Sequence, residues 1–227
     1  MKPESIMKKF ISYMADGILG GMMIGVGAIV LMSCANRYLG AFLFSLGLFS
    51  IVVLKYGLYT GKVGYTVCRD KAFALETIVT LAANAVGTFI AAYLFRITRF
   101  SDSTVVEMEQ SVIERCEALI NSKINDNALS VLVLAFFCGI LMFTAVEIYR
   151  KCGENGNYAG AVFGVVMPVF VFIICGFNHS IADMAYYFLA ECPNPGGAIV
   201  YFVLAALGNA IGGMFVPLMK KLSVNHL

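Results

Sequence analysis

Six long apolar stretches divide the chain, and short polar or charged segments separate them. The stretches cover residues 17–35, 41–61, 72–95, 128–149, 158–190 and 198–219. A helix needs about 20 predominantly apolar residues to cross a bilayer. The pattern therefore predicts an all-α integral membrane protein with six transmembrane helices.

Two of these stretches contain residues that interrupt a helix. The fifth is too long for one simple crossing and holds Gly-Phe-Asn-His-Ser at 176–180. The second holds Lys55, Gly57, Thr60 and Gly61 near one end. Backbone leaves helical geometry inside a membrane only where it is buried in protein or lines a cavity. We therefore expect broken second and fifth helices beside a substrate path.

The two halves of the chain resemble each other. Asn-Ala-Val-Gly at 84–87 returns as Asn-Ala-Ile-Gly at 209–212, and Thr60 and His179 occupy the two interruptions at a similar separation. Each copy has three spans, and because three is an odd number the second copy enters the membrane from the opposite side and is inverted. We predict a single channel domain of two inverted three-helix repeats, about 9–100 and 127–222, that meet at a midplane substrate site.

The connection between the repeats, about 101–126, is the only long one. Thr104 and Glu107 fit the spacing of a capping box. Apolar residues recur on one helical face at Val105, Met108, Val112, Cys116 and Leu119. We expect an extracytoplasmic amphipathic helix over the mouth of the bundle, and a disordered loop is the alternative.

Composition supports a lipid environment. Apolar residues make up 60% of the 227 positions and charged residues 13%, against about 25% charged residues in soluble domains. A net charge of +2 without a basic run argues against nucleic-acid binding. The seven cysteines are scattered, so we expect no metal site and no cofactor.

The distribution of Lys and Arg predicts the orientation. Ten of these residues lie on the side of the two termini and five on the other side. Because cytoplasmic loops carry the excess of positive charge, we predict a multi-pass protein of the cell membrane with both termini in the cytoplasm.

Several motifs resemble those of the formate/nitrite transporter family. Phe-Ser-Leu-Gly-Leu at 44–48 and Leu-Tyr-Thr-Gly at 58–61 are similar to the family's F-x-x-G-L and L-F-T-G. Gly-Phe-Asn-His-Ser-Ile-Ala-Asp-Met at 176–184 is similar to G-F-x-H-S-[IV]-A-N-M. Gly-Ile-Leu at 139–141 and the two Asn-x-x-Gly elements also match, in the family's order.

The resemblance implies an aquaporin-like homopentamer in the lipid bilayer, in which each protomer passes a small monovalent anion such as formate, nitrite or hydrosulfide. The family's central histidine and threonine fall on His179 and Thr60. Its outer lysine aligns better with Asn127, and the alternative is that Lys123 serves instead after a shift of about one turn. Its cytoplasmic-side apolar constriction falls on Phe44, Leu48 and Phe172, and its outer one on Leu58, Tyr59 and Val146.

Five positions depart from the family pattern and bear on the substrate more than on the fold. Phe143 and Asp183 each stand where the family has Asn, and Tyr59 stands where it has Phe. Gly57 replaces an acidic residue, and Lys55 replaces a small one. The width of the path at Phe143, Tyr59 and Phe172 decides which anion passes.

Lys55 and Asp183 are intramembrane charges, one near each break. An unpaired charge at bilayer depth costs several kcal/mol, so such residues find partners or water. We expect a salt bridge between these two side chains. The alternative is that Lys55 supplies positive potential to an anion path.

His179 is one of two histidines, and it lies at a helix break inside the membrane, where an ionisable side chain indicates function. A bound anion favours the imidazolium, and the added proton favours the anion, so we predict proton-coupled passage past His179 and Thr60. The alternative is a neutral imidazole that only satisfies backbone groups. Thr60 and Asn178 have a similar alternative, as caps of broken helices.

Other classes of protein fit the sequence less well. A neutral-solute, aquaporin-like pore is one alternative, but the chain has no Asn-Pro-Ala motif. A non-transporting structural subunit is another, although it has no need of two broken helices. An enzyme requires a nucleophile with a base, or a metal set, and one buried histidine without clustered carboxylates offers neither.

Overall fold

The computed structural model describes residues 3–101 and 109–224, and the regular elements in these two ranges are helical. Two 3-10 segments are Val63–Cys68 and Arg99–Ser101. The α-helices are α1 (Pro3–Ser33), α2 (Arg37–Leu54), α3 (Tyr59–Lys62), α4 (Lys71–Arg96), α5 (Val112–Ile124), α6 (Ala128–Glu154), α7 (Tyr158–Ile174), α8 (Ser180–Leu189) and α9 (Pro195–Val224).

Five of these helices, α1, α2, α4, α6 and α9, are long and apolar enough to cross a membrane. α7 is equally apolar but has only 17 residues, and α8 continues the same stretch after a break. The all-α class predicted from the apolar stretches is confirmed.

Both predicted helix breaks are present. α2 ends at Leu54, and Lys55 caps it in the left-handed conformation with φ of 60°. α7 ends at Ile174, and Gly176 adopts φ of 68° before α8 begins at Ser180. Glycine takes this conformation without a Cβ clash, so Gly176 lets the chain turn sharply between the two helices.

Glycines let the long helices of each half approach closely. Gly87 of α4 lies against the carbonyl of Ile18 in α1, and Gly212 of α9 lies against the carbonyl of Phe136 in α6. A Cβ at either glycine would overlap the facing carbonyl oxygen. Small residues at such crossings are typical of packed membrane helices, and the two halves use corresponding ones.

The bundle has two ends, which we name the termini end and the α5 end. α2 finishes at the termini end, where Lys55 and Arg150 line one cavity. α7 finishes at the α5 end, where Gly176 and Lys123 line another. α2 and α7 thus run in opposite directions, as inverted repeats require. The complete inverted arrangement and the boundaries at about 9–100 and 127–222 stay predictions.

The connection between the halves contains the predicted amphipathic helix, α5. Ser111 and Glu114 form a capping box at its start. Val112 and Cys116 are buried, and Leu119 is partly buried against the core. Outside the described residues lie four positions of the predicted helix: Thr104, Val105, Glu107 and Met108.

Candidate functional site

Asn84 of α4 holds the first helix break together. Its side-chain oxygen accepts a hydrogen bond from the backbone N–H of Tyr59 at 2.9 Å. Its amide nitrogen donates to the carbonyls of Gly17 and Gly57 at 2.7 and 2.8 Å. The side chain is fully buried, so it replaces the partners that peptide groups at a break would otherwise lack in a membrane.

Asn209 of α9 repeats this set of contacts in the second half. Its oxygen accepts from the backbone N–H of Ser180 at 2.9 Å. Its nitrogen donates to the carbonyls of Ala135 and Asn178, both at 2.8 Å. The echo between the two Asn-x-x-Gly elements therefore reflects a shared structural task.

The two asparagines show which positions of the halves correspond. Asn84 binds the residues on either side of Leu58, and Asn209 binds the residues on either side of His179. Leu58 is therefore the counterpart of His179. The predicted equivalence of Thr60 and His179 is wrong by two positions, because Thr60 lies within α3 and not at its start.

His179 is the N-cap of α8, and both of its ring nitrogens have partners. The backbone N–H of Ala182 donates to Nδ1 at 3.1 Å, and Nε2 lies 3.0 Å from Oγ1 of Thr60. A backbone N–H can only donate, so Nδ1 carries the lone pair and the neutral ring has its proton on Nε2. Nε2–H then donates to Thr60, which joins the two breaks inside the bundle.

Aromatic rings separate His179 from the α5 end. The ring of Phe172 lies 5.4 Å from that of His179 and 5.7 Å from that of Phe44, centroid to centroid. Phe172 also lines a cavity of about 320 Å³ together with Lys123 and Asp183. Phe44 and Phe172 thus form an apolar barrier between a polar mouth and the buried histidine.

A second cavity, of about 660 Å³, opens at the termini end. Leu48, Leu58 and Val146 form part of its apolar wall. Lys62 pairs with Glu76, and Arg150 pairs with Glu147. Basic side chains line this mouth at four positions: Lys55, Lys62, Arg69 and Arg150.

The cavities separate two residues that the resemblance puts in one constriction, because Leu48 lines the termini-end cavity and Phe172 lines the α5-end cavity. The resemblance puts Phe172 on the cytoplasmic side, which is the termini end by the charge count, yet Phe172 lines the α5-end cavity. It puts Leu58 and Val146 on the outer side, yet both line the termini-end cavity. The reason for Phe172 is the direction of α7, whose last turn points away from the termini. Leu58 follows α2 and Val146 lies in the second half of α6, and both of these helices finish at the termini end.

Three predicted path residues mainly contact protein. The hydroxyl of Tyr59 donates to a carbonyl of α9 at 3.0 Å. The ring of Phe143 packs against Tyr65 at 5.0 Å. The side chain of Asn178 donates to a carbonyl of α6 at 3.3 Å and accepts from Lys123 at 3.1 Å. Phe143 also lines a separate cavity together with Glu147 and Lys220.

The predicted salt bridge between Lys55 and Asp183 is wrong. Asp183 pairs instead with Lys123, whose Nζ lies 2.8 Å from Oδ1 of the carboxylate. Lys55 is exposed at the termini-end cavity, because the two breaks face opposite ends of the bundle. Its effect on an anion at that mouth stays a prediction.

Comparison with known proteins decides the family. The family model described as formate/nitrite transporter matches residues 3–221, nearly the whole chain. The chain belongs to the formate/nitrite transporter family. Two relatives from Bacillus subtilis (strain 168) are the uncharacterized transporters YrhG and YwcJ. YrhG is 25% identical in an alignment 231 positions long, which covers 91% of this chain and 83% of YrhG. YwcJ is 28% identical over 177 residues, which cover 73% of this chain and 67% of YwcJ.

Two solved structures share the fold of this formate/nitrite transporter family member. An "FNT family ion channel" superposes with a TM-score of 0.79 at 16% identity, covering 94% of this chain and 90% of that one. A "pentameric formate channel with formate bound" superposes with a TM-score of 0.74 at 20% identity, covering 100% of both chains. Membership places the chain among transporters rather than enzymes.

Sequence reasoning missed two polar residues of this family member. Tyr201 donates from its hydroxyl to Oδ2 of Asp183 at 2.6 Å. Arg37 donates to the carbonyl of Ile173 at 3.0 Å, at the end of α7. Neither lies in a motif, and their partners are 18 and 136 positions away. Within residues 3–101 and 109–224, no three His, Cys, Asp or Glu side chains form a metal-binding group.

Proposed function

We propose that this chain passes a small monovalent weak-acid anion, formate, nitrite or hydrosulfide, across the cell membrane. The observation that carries the proposal is the hydrogen bond between Thr60 and His179. It puts two polar side chains at the meeting point of two helix breaks, between the apolar wall of one mouth and the Phe44–Phe172 barrier of the other. The solved relative with formate bound supports a small anion of this kind.

His179 and Thr60 supply the donors that such an anion needs. In the neutral site, Nε2–H donates to the Thr60 oxygen, and an arriving anion accepts from Nε2–H and from the hydroxyl in its place. A bare anion in a dry apolar constriction is very costly. Passage as the neutral acid removes that cost, and this is the reason for coupling anion movement to a proton.

The proton reaches the anion through the imidazole. His179 takes up a proton at Nδ1, and the buried N–H of Ala182 loses its acceptor, at a cost of about 1–3 kcal/mol for an unsatisfied buried donor. When the Nε2 proton moves to the anion, the anion becomes the neutral acid and the ring becomes a neutral imidazole with its proton on Nδ1. Loss of that proton from Nδ1 and return of one to Nε2 restores the resting tautomer, in which Nδ1 accepts from Ala182. A bound anion favours this protonation because it stabilises the positive ring.

The assembly that we propose is a homopentamer with one path in each protomer and both termini in the cytoplasm. Large apolar side chains remain exposed along the helices, including Leu46, Ile78, Phe89, Phe163 and Val203. Such a surface fits lipid and neighbouring protomers. The pentameric solved relative supports the stoichiometry, and Lys55 adds positive potential at the termini-end mouth.

The test is anion flux into proteoliposomes that contain the full chain, with formate, nitrite, hydrosulfide and chloride at pH 5 and pH 7. We expect flux of a weak-acid anion that rises with acidity and falls in His179→Phe. His179→Asn is the matched control, because an Asn oxygen can still accept at an N-cap but cannot take up a proton. It should retain the fold and lose the pH dependence.

Each other outcome has a defined meaning. Equal flux at both pH values, with His179→Asn unchanged, would contradict proton coupling through His179. Water or glycerol passing without any anion would favour the neutral-solute pore. An assembled protein that passes no solute would leave the structural subunit as the explanation.

A further inference from the structure

Lys123 ties α5 to the break between α7 and α8. Its Nζ donates to Oδ1 of Asp183 at 2.8 Å, to Oδ1 of Asn178 at 3.1 Å and to the carbonyl of Phe177 at 3.4 Å. All three acceptors belong to the break or to the first turn of α8. The side chain of Lys123 is 11% exposed, so its charge is largely shielded from bulk water.

Asp183 uses both carboxylate oxygens as acceptors. Oδ2 accepts from the hydroxyl of Tyr201 at 2.6 Å, while Oδ1 accepts from Lys123. The side chain is 1% exposed, and its backbone N–H donates to the carbonyl of His179 at 2.8 Å. The contact with Lys123 is a salt bridge, and charge-assisted hydrogen bonds of this kind are stronger than neutral ones. Lys123 and Asp183 therefore add up to a neutral pair one turn from His179.

This pair faces the approach to the path. Lys123 and Asp183 both line the α5-end cavity, which is closed by Phe172 beside His179. Arg37 and Arg115 line the same cavity and donate to carbonyls at the ends of α7 and α1. This mouth thus carries the positive side chains of Arg37 and Arg115, whereas the charge of Lys123 is balanced by the carboxylate of Asp183.

We propose that Asp183 sets the anion affinity of this mouth by neutralising Lys123. The inference rests on the proposed function and adds a residue that determines how strongly the path holds its anion. A charge shielded from water acts on an anion at short range with little screening. Without the carboxylate, Lys123 would hold an anion at the entrance to the Phe44–Phe172 barrier. With it, anions enter without being trapped there.

The test compares Asp183→Asn with the wild type in proteoliposomes, using formate and nitrite over a range of concentrations. The Asn side chain keeps the size of Asp183 and an acceptor for Lys123. We expect the half-saturating anion concentration to fall about tenfold, the effect of one uncompensated charge at moderate effective dielectric. In Asp183→Asn combined with Lys123→Gln, the concentration should return to within about threefold of the wild type.

Glu191→Gln is the matched control. It frees Arg96 from a pair at the same end of the bundle, but there the side chains are 33% and 62% exposed. Solvent screens such a charge, so less than a twofold change is expected. Thermal unfolding and gel filtration in detergent establish that each variant assembles.

The outcomes separate this inference from the proposed function. A wild type that passes no anion overturns both. If the wild type conducts and the half-saturating concentration is unchanged or raised in Asp183→Asn, the role of Asp183 alone is overturned. The same holds if the half-saturating concentration stays low when Lys123→Gln is added to Asp183→Asn. If Asp183→Asn does not assemble, Lys123→Arg and Lys123→Gln replace it. Arg keeps the positive charge and should weaken anion entry less than Gln does, and equal loss in both overturns the inference.

Discussion

The imidazole of His179 is held on both sides, which gives it one tautomer at rest. Its Nδ1 accepts from Ala182, and its Nε2 faces Thr60. The alternative that His179 satisfies a backbone group describes the Nδ1 side of the ring. The prediction that His179 contacts an anion concerns the Nε2 side. The cap side fixes the orientation, and in the proposed mechanism the Thr60 side exchanges its partner for an anion.

Thr60→Val tests that exchange. Valine has nearly the same shape but no hydroxyl, so the buried Nε2–H loses its acceptor, at a cost of about 1–3 kcal/mol. The anion also loses a donor. We expect formate flux in proteoliposomes to fall at least about tenfold, while Thr60→Ser, which keeps the hydroxyl, stays within about threefold of the wild type. Wild-type flux in Thr60→Val would remove Thr60 from the mechanism.

At this scale the sequence identified the polar pair but not all of its surroundings. A histidine and a threonine at helix breaks are visible in the string because both interrupt apolar runs. The pairing of Asp183 with Lys123 is not visible, because it depends on where α5 lies over the bundle. Tyr201 resembles the other tyrosines of an apolar helix until its hydroxyl is seen to meet Asp183.

At the scale of elements, each broken helix depends on an asparagine from the neighbouring long helix. Asn84 and Asn209 each make three buried hydrogen bonds to backbone groups. Those groups belong to the break and to the helix that crosses it. The asparagines thus fix the start of α3 and α8, and with it the positions of Thr60 and His179.

Asn209→Ala measures the strength of this support. Three hydrogen bonds at about 0.6 kcal/mol each, the average between membrane helices, predict a loss of about 2 kcal/mol. We expect a lower Tm in detergent for Asn209→Ala and, by the same reasoning, for Asn84→Ala. Asn125→Ala, in the exposed turn before α6, removes only one solvent-exposed hydrogen bond, to the carbonyl of Asn121. It serves as the control and should lower Tm much less. Wild-type Tm in both buried variants would show that the breaks are stable without these bonds.

The elements themselves were largely predictable, and their directions were not. Apolar length gave the long helices, and Gly, His and Lys in apolar runs gave the breaks. The grouping of Phe172 with Leu48 was wrong, because a motif states which residues narrow a path, whereas the course of α7 decides which end Phe172 faces. The 3-10 segment Val63–Cys68 also has no pattern that distinguishes it from the end of a longer helix.

For the whole molecule, the two mouths differ in how their charges are balanced. At the termini end, Lys62 and Arg150 have acidic partners, and Lys55 and Arg69 line the same cavity. At the α5 end the buried Lys123 is neutralised by Asp183. The excess of Lys and Arg at the termini end predicts that this end faces the cytoplasm.

Labelling of single cysteines in intact cells tests this orientation. Cys68 is exposed and lines the termini-end cavity, whereas Asn125 lies in the exposed turn after α5. The parent chain keeps only the buried Cys116 and Cys138, and its other cysteines are replaced by Ser. One variant retains Cys68 in this background, and another carries Asn125→Cys. A membrane-impermeant maleimide should label Asn125→Cys in intact cells and Cys68 only after permeabilisation. The parent without either cysteine gives the background, and the reverse pattern would put the termini outside. Because an anion from the medium would then first meet the basic termini-end mouth, that pattern would also exchange the roles of the two mouths in uptake.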